Sequence, residues 1–502
     1  MAHPLWQSIP FVCILLPLGS AAMTSVLPAR WARRWTLLVL FVLSGLSLAL
    51  TITFGVTGTQ SYTYTMGHYT APWGNEIRAG LLEAVTAFFF SLIMLLSLVG
   101  GLRKVDDHVT HSKQSLYYVV LLLLTAALMA QVYTNDIFTA YVFLEIMTIS
   151  AGALIAVRNR GRTLVAAMRY MIMNLIGSGL FLLGVILLYD LTGHLLMSNI
   201  KEAVAALHAT GEYALPLNVV VALISVGLCI KSALFPFHTW VPDAYGYSTP
   251  TSAAVLSSLV SKGYIFLLIK IIYRVIGLDV MADTHIFDIL FAFALAGMVI
   301  GSLSAIYQSD IRRMIAFSSV AQIGYIYAGI GMGTSAGITA AVFHIFVHAV
   351  CKSMLFLAAD GLIDASGGSR AIPDLRGSGR RCPLAGVAFT IGALSMVGFP
   401  FLGGFASKLN LALASLSATN THAILMLIAL AVSTWLNTLY FLRTVVTIYH
   451  RPEEGGIQPA AQAHPNFGLG LSLALFTVVN VALGLFSQTV LDAIVVGLKM
   501  FA

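Results

Sequence analysis

Residues 231–270 read KSALFPFHTWVPDAYGYSTPTSAAVLSSLVSKGYIFLLIK, and the architecture of the protein can be worked out from this segment. It sets Lys231 and Lys262 in largely apolar sequence, on either side of a Phe-Pro-Phe interruption at 235–237. The chain of 502 residues is 59% hydrophobic and 9% charged, whereas soluble domains carry about 25% charged residues. The composition excludes a disordered chain, a disulfide scaffold and a nucleic-acid-binding protein, and it predicts a polytopic membrane protein.

The cysteines and the loops give no sign of a cofactor or metal site. Four cysteines show no paired spacing, and the net charge of +7 is typical of basic cytoplasmic loops. No connection is long enough to hold a nucleotide or an iron–sulfur cluster, so we expect a transport subunit without catalytic chemistry of its own, acting within the membrane. The longest polar connections lie near 57–78, 190–215, 363–383 and 450–466.

Fourteen runs of about 20 mostly apolar residues are long enough to cross a bilayer. They lie near 8–27, 35–57, 79–102, 115–133, 136–156, 164–189, 216–236, 247–273, 286–307, 314–333, 336–362, 384–410, 422–449 and 467–498. The seventh and twelfth runs share a Phe-Pro-Phe break, at 235–237 and 399–401, where proline leaves carbonyls that need polar partners. Because Lys231 and Lys408 stand beside these breaks, we predict an inverted repeat around midplane sites, with a simple proline kink as the alternative.

The loops also predict an orientation. Loops after odd-numbered runs carry 16 Lys and Arg residues, Arg312 among them, against 4 on the other side. The odd loops are therefore predicted to be cytoplasmic and both termini to lie outside. The four basic residues on the outer side are Arg78, Lys201, Arg274 and Lys499.

Seven basic residues lie inside the predicted spans, where a charge costs about 2.5–3.5 kcal/mol on insertion scales. Three of them, Arg169, Lys270 and Arg443, stand near enough to helix ends for their charges to reach the interface. The other four are Lys231, Lys262, Lys352 and Lys408, and these need partners or a function.

Glu145 is the acid in the middle of the fifth run. A buried carboxylate is either neutral or paired with a cation, and a Glu145–Lys231 pair on a proton path is the prediction. A protonated Glu145 bonded to a neighbouring helix is the structural alternative.

His344, His348 and Lys352 recur every four residues in the eleventh run and so share one helix face. Three titratable groups in register predict a proton relay. Haem ligation, the rival use, needs a matching histidine on another span, and the chain offers only His238 in a break and His285 near a helix start.

These segments resemble the antiporter-like subunits of respiratory complex I, of Mrp-type cation/proton antiporters and of membrane-bound hydrogenases. The resemblance covers roughly residues 115–445 and rests on residues 231–270 and on the blocks TNDIFTAYVFLEI, SDIRRMIAFSSVAQIGY, FHIFVHAVCKSMLFLAAD and GFPFLGGFASK, which follow the family's order. It implies inverted repeats of helices 4–8 and 9–13 with broken seventh and twelfth helices. The implied divisions are 1–114 for helices 1–3, 115–275 and 286–449 for two half-channel repeats, and 467–502 for helix 14.

The resemblance also implies roles by position. Glu145 matches the fifth-helix glutamate that faces the first half-channel lysine, Lys231 matches that lysine, and Lys262 matches the eighth-helix lysine leading toward the centre. His344 and His348 match the eleventh-helix histidine positions, and Lys352 follows in the same block.

Lys408 matches the twelfth-helix residue of the second half-channel. As a lysine rather than a glutamate, it is more similar to the Mrp D subunit or the complex I N-type subunit than to the M type. Asp136 and Asp310 also lie in family blocks, where helix capping is expected. The chain departs from the family before the third helix, where Ala79 replaces the usual aspartate and Glu83 follows one turn into the helix.

The implied function is proton translocation by a subunit of a multisubunit Mrp-type Na⁺/H⁺ antiporter in a bacterial or archaeal cell membrane. Its expected partners are other membrane subunits, protons, Na⁺ and the lipid bilayer. One alternative is the proton-pumping subunit of a redox complex, either complex I-like and part of an NADH:quinone oxidoreductase-type translocase, or hydrogenase-linked. A scaffold with purely structural ion pairs and a self-sufficient transporter of an organic solute remain as further alternatives.

Overall fold

A computed structural model of the chain describes residues 5–58, 60–66, 69, 74–418, 420–451 and 466–501. Most of the predicted connection near 450–466 therefore lies outside the described residues. Within them, thirteen helices are long and apolar enough to cross a membrane, which confirms an all-α polytopic membrane protein.

The α-helices follow one another with short connections. Those of the first half are α1 Ile9–Thr24, α2 Ala29–Thr57, α3 Leu81–His108, α4 His111–Tyr133, α5 Ile137–Ala156, α6 Gly161–Thr192, α7 Met197–Thr210, α8 Ala214–Ser232, α9 Val241–Tyr247, α10 Pro250–Val255, α11 Ser261–Ile271 and α12 Leu278–Asp283. Those of the second half are α13 Ile286–Ile306, α14 Ile311–Gly331, α15 Ser335–Ala365, α16 Ser378–Arg381, α17 Pro383–Val397, α18 Gly403–Ser415, α19 Asn420–Tyr449, α20 Phe467–Leu485 and α21 Ser487–Lys499. The π-helical segments Leu256–Val260 and Ile272–Ile276 join α10 and α11 into one span, Pro250–Ile276.

Both predicted helix breaks are present. Helix α8 ends at Ser232 because Ala233 adopts a left-handed conformation with φ 66°, and the chain resumes as α9. Helix α17 ends before Gly398, which has φ 99°, and Phe401 is left-handed as well, with φ 69°. The twelfth run is thus divided into pieces of 15 and 13 residues, neither of which meets the length of a full span.

Three predicted features differ from the structure. The connection near 57–78 contains an antiparallel hairpin of β1 Tyr62–Thr65 and β2 Glu76–Ala79. The connection near 190–215 contains helix α7, which buries Met197, Ile200 and Val204 on one amphipathic face. The last run, predicted as one helix, is two, because the chain leaves helical geometry at Phe486 between α20 and α21.

Asp136 and Asp310 occupy matching places. The carboxylate of Asp136 accepts a hydrogen bond from the Thr139 amide at 2.6 Å and caps α5, and Asp310 caps α14 in the same way. Asp136 also forms an isolated antiparallel bridge with Leu196, in the connection after α6. Asp310 forms the equivalent bridge with Ala371, in the connection after α15. These paired contacts are what a repeated unit would produce, and the inverted repeat remains a prediction.

The core of the protein is formed by two spans. Pro250–Ile276 is buried throughout and Ser335–Ala365 is buried from Gly337 to Ile363, whereas in the outer helices α2 and α6 fewer than half of the residues of the apolar stretch are buried. Ionisable side chains within these buried stretches are therefore enclosed by protein and not by lipid.

Candidate functional site

Lys231 lies in the last turn of α8, beside the break, and is fully buried. Its Nζ atom donates a hydrogen bond to Thr148 Oγ1 at 2.7 Å and lies 3.7 Å from Glu145 Oε1. It also lies 5.3 Å from the centre of the Tyr264 ring, whose hydroxyl is 3.0 Å from the Thr148 hydroxyl. The structure therefore brings the predicted Glu145–Lys231 pair together, with Glu145 at 22% side-chain exposure and Lys231 at the inner end.

Lys262 lies in the fully buried central span, and its Nζ atom donates to the carbonyl of Ser257. Ser257 belongs to the π-helical segment Leu256–Val260, where the altered hydrogen-bond register frees carbonyls from the helix. Among the described residues no acid forms an ion pair with Lys262.

The predicted face of α15 is present, and its residues are buried. The His344 and His348 rings are nearly parallel, at 7°, with centroids 6.1 Å apart. His344 Nδ1 is hydrogen-bonded to Ser407 Oγ of α18 at 2.5 Å. Neither ring nitrogen of His348 has a hydrogen-bond partner in the part of the chain that the structure describes. Lys352, one turn further, donates to the Ser318 hydroxyl of α14 and to the carbonyl of Ile315 at 3.1 Å.

Lys408 stands on α18 and reaches back across the second break. Its Nζ atom donates to the Val397 carbonyl at 3.0 Å, at the end of α17, and to Thr434 Oγ1 at 3.1 Å. The same atom lies 5.2 Å from the centre of the Tyr325 ring, and that ring stacks on His344 with centroids 5.5 Å apart. Tyr325 therefore lies between the histidines and Lys408.

The sequence predicts that Lys270 reaches the membrane interface and that Arg274 lies in an outer loop. Both predictions are wrong, because the structure buries both side chains. Lys270 is fully buried and its Nζ atom donates to the carbonyls of Val132 at 3.0 Å and Thr134 at 2.5 Å, which caps the end of α4. Arg274 is 2% exposed and forms an ion pair with Glu83 at 2.5 Å. The lone acid early in the third span was the available signal for this pair. Arg169 and Arg443 are exposed, as expected.

A second buried ion pair lies near the C-terminal end of α15. Arg312, also counted as a loop residue, is 2% exposed and lies 2.6 Å from Asp360. Asp360 stands two turns after Lys352 on the same face of α15, so its place could have been found by extending the four-residue spacing. Within the described residues, no three His, Cys, Asp or Glu side chains converge as metal ligands do.

The fold and this row of side chains define a class: a polytopic membrane protein that encloses a series of ionisable side chains in its interior. Residues 134–436 match the family model described as NADH:quinone oxidoreductase/Mrp antiporter, TM. The chain is 33% identical, over 97% of both chains, to NADH-quinone oxidoreductase subunit N of Desulforudis audaxviator (strain MP104C). It belongs to the NADH:quinone oxidoreductase/Mrp antiporter family, as the resemblance implied.

Two solved structures share the whole fold. One is a chain of the membrane-bound sulfane sulfur reductase, an archaeal respiratory membrane complex, with a TM-score of 0.87, 27% identity and 98% of each chain covered. The other is a chain of the Mrp complex from Dietzia sp. DQ12-45-1b, with a TM-score of 0.84, 24% identity and coverage of 99% of this chain and 97% of that one. The protein is thus an antiporter-like, multi-pass subunit of complex I-like or Mrp-type assemblies.

Proposed function

We propose that the chain translocates protons along its buried ionisable side chains as a subunit of a redox-driven respiratory complex. The observation that carries the proposal is the row itself, from Glu145 and Lys231 through the central spans to Lys408. The redox assignment is supported by the 33% identity to a subunit N over 97% of both chains. In this proposal the first half-channel occupies 115–275, the second occupies 286–449, and both termini lie outside.

The first half-channel works through the Glu145–Lys231 pair. At 3.7 Å the carboxylate stabilises the ammonium without a direct hydrogen bond, while Thr148 holds the lysine in place. When the carboxylate moves away, the ammonium loses its counter-charge in a low-dielectric interior and gives up its proton more readily. Lys262 is the next basic group toward the centre.

The second half-channel continues along α15 and α18. Lys352, His348 and His344 stand one helical turn apart, about 6 Å per step. Tyr325 and Ser407 then connect His344 to the neighbourhood of Lys408. Gaps that exceed a hydrogen bond would be crossed by water, which bridges polar groups nearly as well as a direct contact.

The second candidate is a subunit of an Mrp-type Na⁺/H⁺ antiporter. It is supported by the shared fold with a chain of the Mrp complex, and the lysine at position 408 is compatible with both candidates. The proton path is the same in both candidates, and what differs is whether electron transfer or a cation gradient drives it.

The test uses everted vesicles that contain the whole complex, with Lys231→Ala compared with wild type. We expect respiration-driven ΔpH formation to fall on the order of 10²-fold, the size of a general acid–base contribution. The matched control is Arg443→Ala, because Arg443 is exposed on α19 and forms no ion pair among the described residues. Added Na⁺ would change the ΔpH only in the Mrp-type candidate. Undiminished ΔpH in an assembled Lys231→Ala complex would contradict the proton path and favour the scaffold.

A further inference from the structure

A cavity of about 660 Å³ opens where several helices end on the side predicted to be cytoplasmic. Its walls come from the end of α3, the turn between α5 and α6, the start of α14 and the end of α15. Six basic side chains line it against two aspartates, which leaves four positive charges uncompensated. The six are Lys104, Arg158, Arg160, Arg162, Arg312 and Arg370.

The two aspartates are already engaged. Asp360 pairs with Arg312 at 2.6 Å and lies 3.5 Å from Lys104, and Asp364 pairs with Lys104 at 2.5 Å. The other four arginines form no ion pair in the part of the chain that the structure describes. Two of these four donate only to backbone carbonyls, Arg158 to Tyr247 at 3.2 Å and Arg370 to Gly246 at 3.0 Å.

The excess of positive charge also affects the arginines of the cavity themselves. Burial, together with the charges of Arg370, Arg312 and Arg160, lowers the pKa of Arg158 to about 10. The buried Nε atom of Arg312 has no hydrogen-bond partner among the described residues. The N-terminus of α6 also faces the cavity, with Gly161 and Thr163 in its wall, and adds a partial positive charge.

We propose that this cavity binds the phosphate of an anionic phospholipid headgroup. Planar guanidinium groups match phosphate oxygens in pairs, and basic pockets between membrane helices on the cytoplasmic side suit lipid headgroups. The four arginines without an ion pair fit a headgroup with two phosphates best, because each phosphate can then contact two guanidinium groups. Each arginine that makes such a contact would also gain the counter-charge that the protein does not supply.

The outer face of α6 indicates that the bound phosphate group belongs to a lipid and not to free inorganic phosphate. From the cavity wall this helix continues into a row of exposed apolar side chains, Leu164, Met168 and Ile172, with Met168 64% exposed. The spacing of four residues keeps this row on one face, where acyl chains attached to the headgroup can lie. The inference is independent of the proposed proton path, because none of the four arginines belongs to it.

The test uses the intact complex, purified and delipidated in a neutral detergent. Mixed micelles containing diphosphatidylglycerol, phosphatidylglycerol or phosphatidylcholine are titrated, and bound lipid phosphorus is measured per complex. Arg160→Gln/Arg162→Gln and Arg158→Gln/Arg370→Gln are compared with the control Arg30→Gln/Arg34→Gln. The control removes two basic residues of another predicted cytoplasmic loop that do not line the cavity.

Each cavity double variant is expected to bind diphosphatidylglycerol about 30-fold more weakly, from about 1 kcal/mol per basic residue. The control should keep wild-type affinity, and phosphatidylcholine should not bind at the site. Equal affinity in the cavity variants and the control would overturn the proposal. Displacement of the lipid by inorganic phosphate at equal phosphate concentration would overturn the lipid source and leave a free-anion site. Arg160 and Arg162 are exposed, so their variant keeps the test valid if the more buried pair fails to fold.

Discussion

Lys231 is hydrogen-bonded to Thr148 and not to Glu145: its Nζ atom lies 2.7 Å from the hydroxyl and 3.7 Å from the carboxylate. The lysine therefore keeps its position through a neutral partner, while its counter-charge is free to move. A pair locked by a direct, charge-assisted hydrogen bond would be harder to open.

Replacing Thr148 with valine should slow proton transfer while leaving the charges intact. A hydrogen bond to a charged group contributes about 1.5–3 kcal/mol, so we expect the rate of ΔpH formation in everted vesicles to fall by on the order of tenfold or more. Thr148→Ser, which keeps the hydroxyl, should stay close to wild type. If the valine variant matched the serine variant, Thr148 would not position the lysine.

His348 should be needed as a titratable group. His348→Gln keeps a polar side chain of similar length but cannot carry a proton at neutral pH, so ΔpH formation should fall on the order of 10²-fold. His450→Gln is the control because His450 is exposed beyond the end of α19. Wild-type transport by the glutamine variant would show that the stacked rings serve packing only.

Lys408 allows transport and capping to be separated. Lys408→Arg keeps a positive charge and a donor for the Val397 carbonyl, but a guanidinium does not release its proton. We expect this variant to assemble normally and to lose ΔpH formation on the order of 10²-fold. Lys499→Arg, on the exposed end of α21, serves as the control. An active Lys408→Arg variant would assign Lys408 to the structure of the break.

Arg274 and Glu83 should matter for stability. Removing one partner of a buried ion pair leaves an uncompensated charge, so Arg274→Leu should lower the free energy of unfolding by about 3–5 kcal/mol. The double variant Glu83→Leu/Arg274→Leu should cost much less, because neither charge is then left alone. Thermal unfolding of the purified complex in detergent measures both. Equal losses in the single and double variants would mean that packing against Phe501, 4.0 Å from the guanidinium, dominates.

The long apolar runs and the two breaks could be predicted because they depend on local chemistry. Hydrophobic length fixes a span, and a Phe-Pro-Phe sequence fixes where a helix cannot continue. The Glu145–Lys231 pair and the row on α15 could also be predicted, since a mid-span charge needs a partner and a four-residue spacing shares one face.

For charged residues near helix ends, the sequence did not distinguish exposed side chains from buried ones. Lys270, Arg274 and Arg312 have the sequence context of interface residues, yet each is covered by neighbouring helices. Whether such a side chain meets water or a buried partner depends on tertiary packing, which hydropathy does not record. Helix α7 was missed for a related reason, since its short amphipathic face is weak beside runs of 20 apolar residues.

Lys352 finds its hydrogen-bond partners, Ser318 and Ile315, on α14, the helix that directly precedes its own. Lys231 instead depends on residues of α5, which leaves the ribosome two membrane crossings earlier. During biogenesis α14 and α15 can therefore enter the bilayer as a hairpin whose lysine is already satisfied. Lys231 gains its hydrogen-bond partner only after α8 has packed against α5. In the first half of the protein, therefore, insertion depends on the order in which the helices assemble.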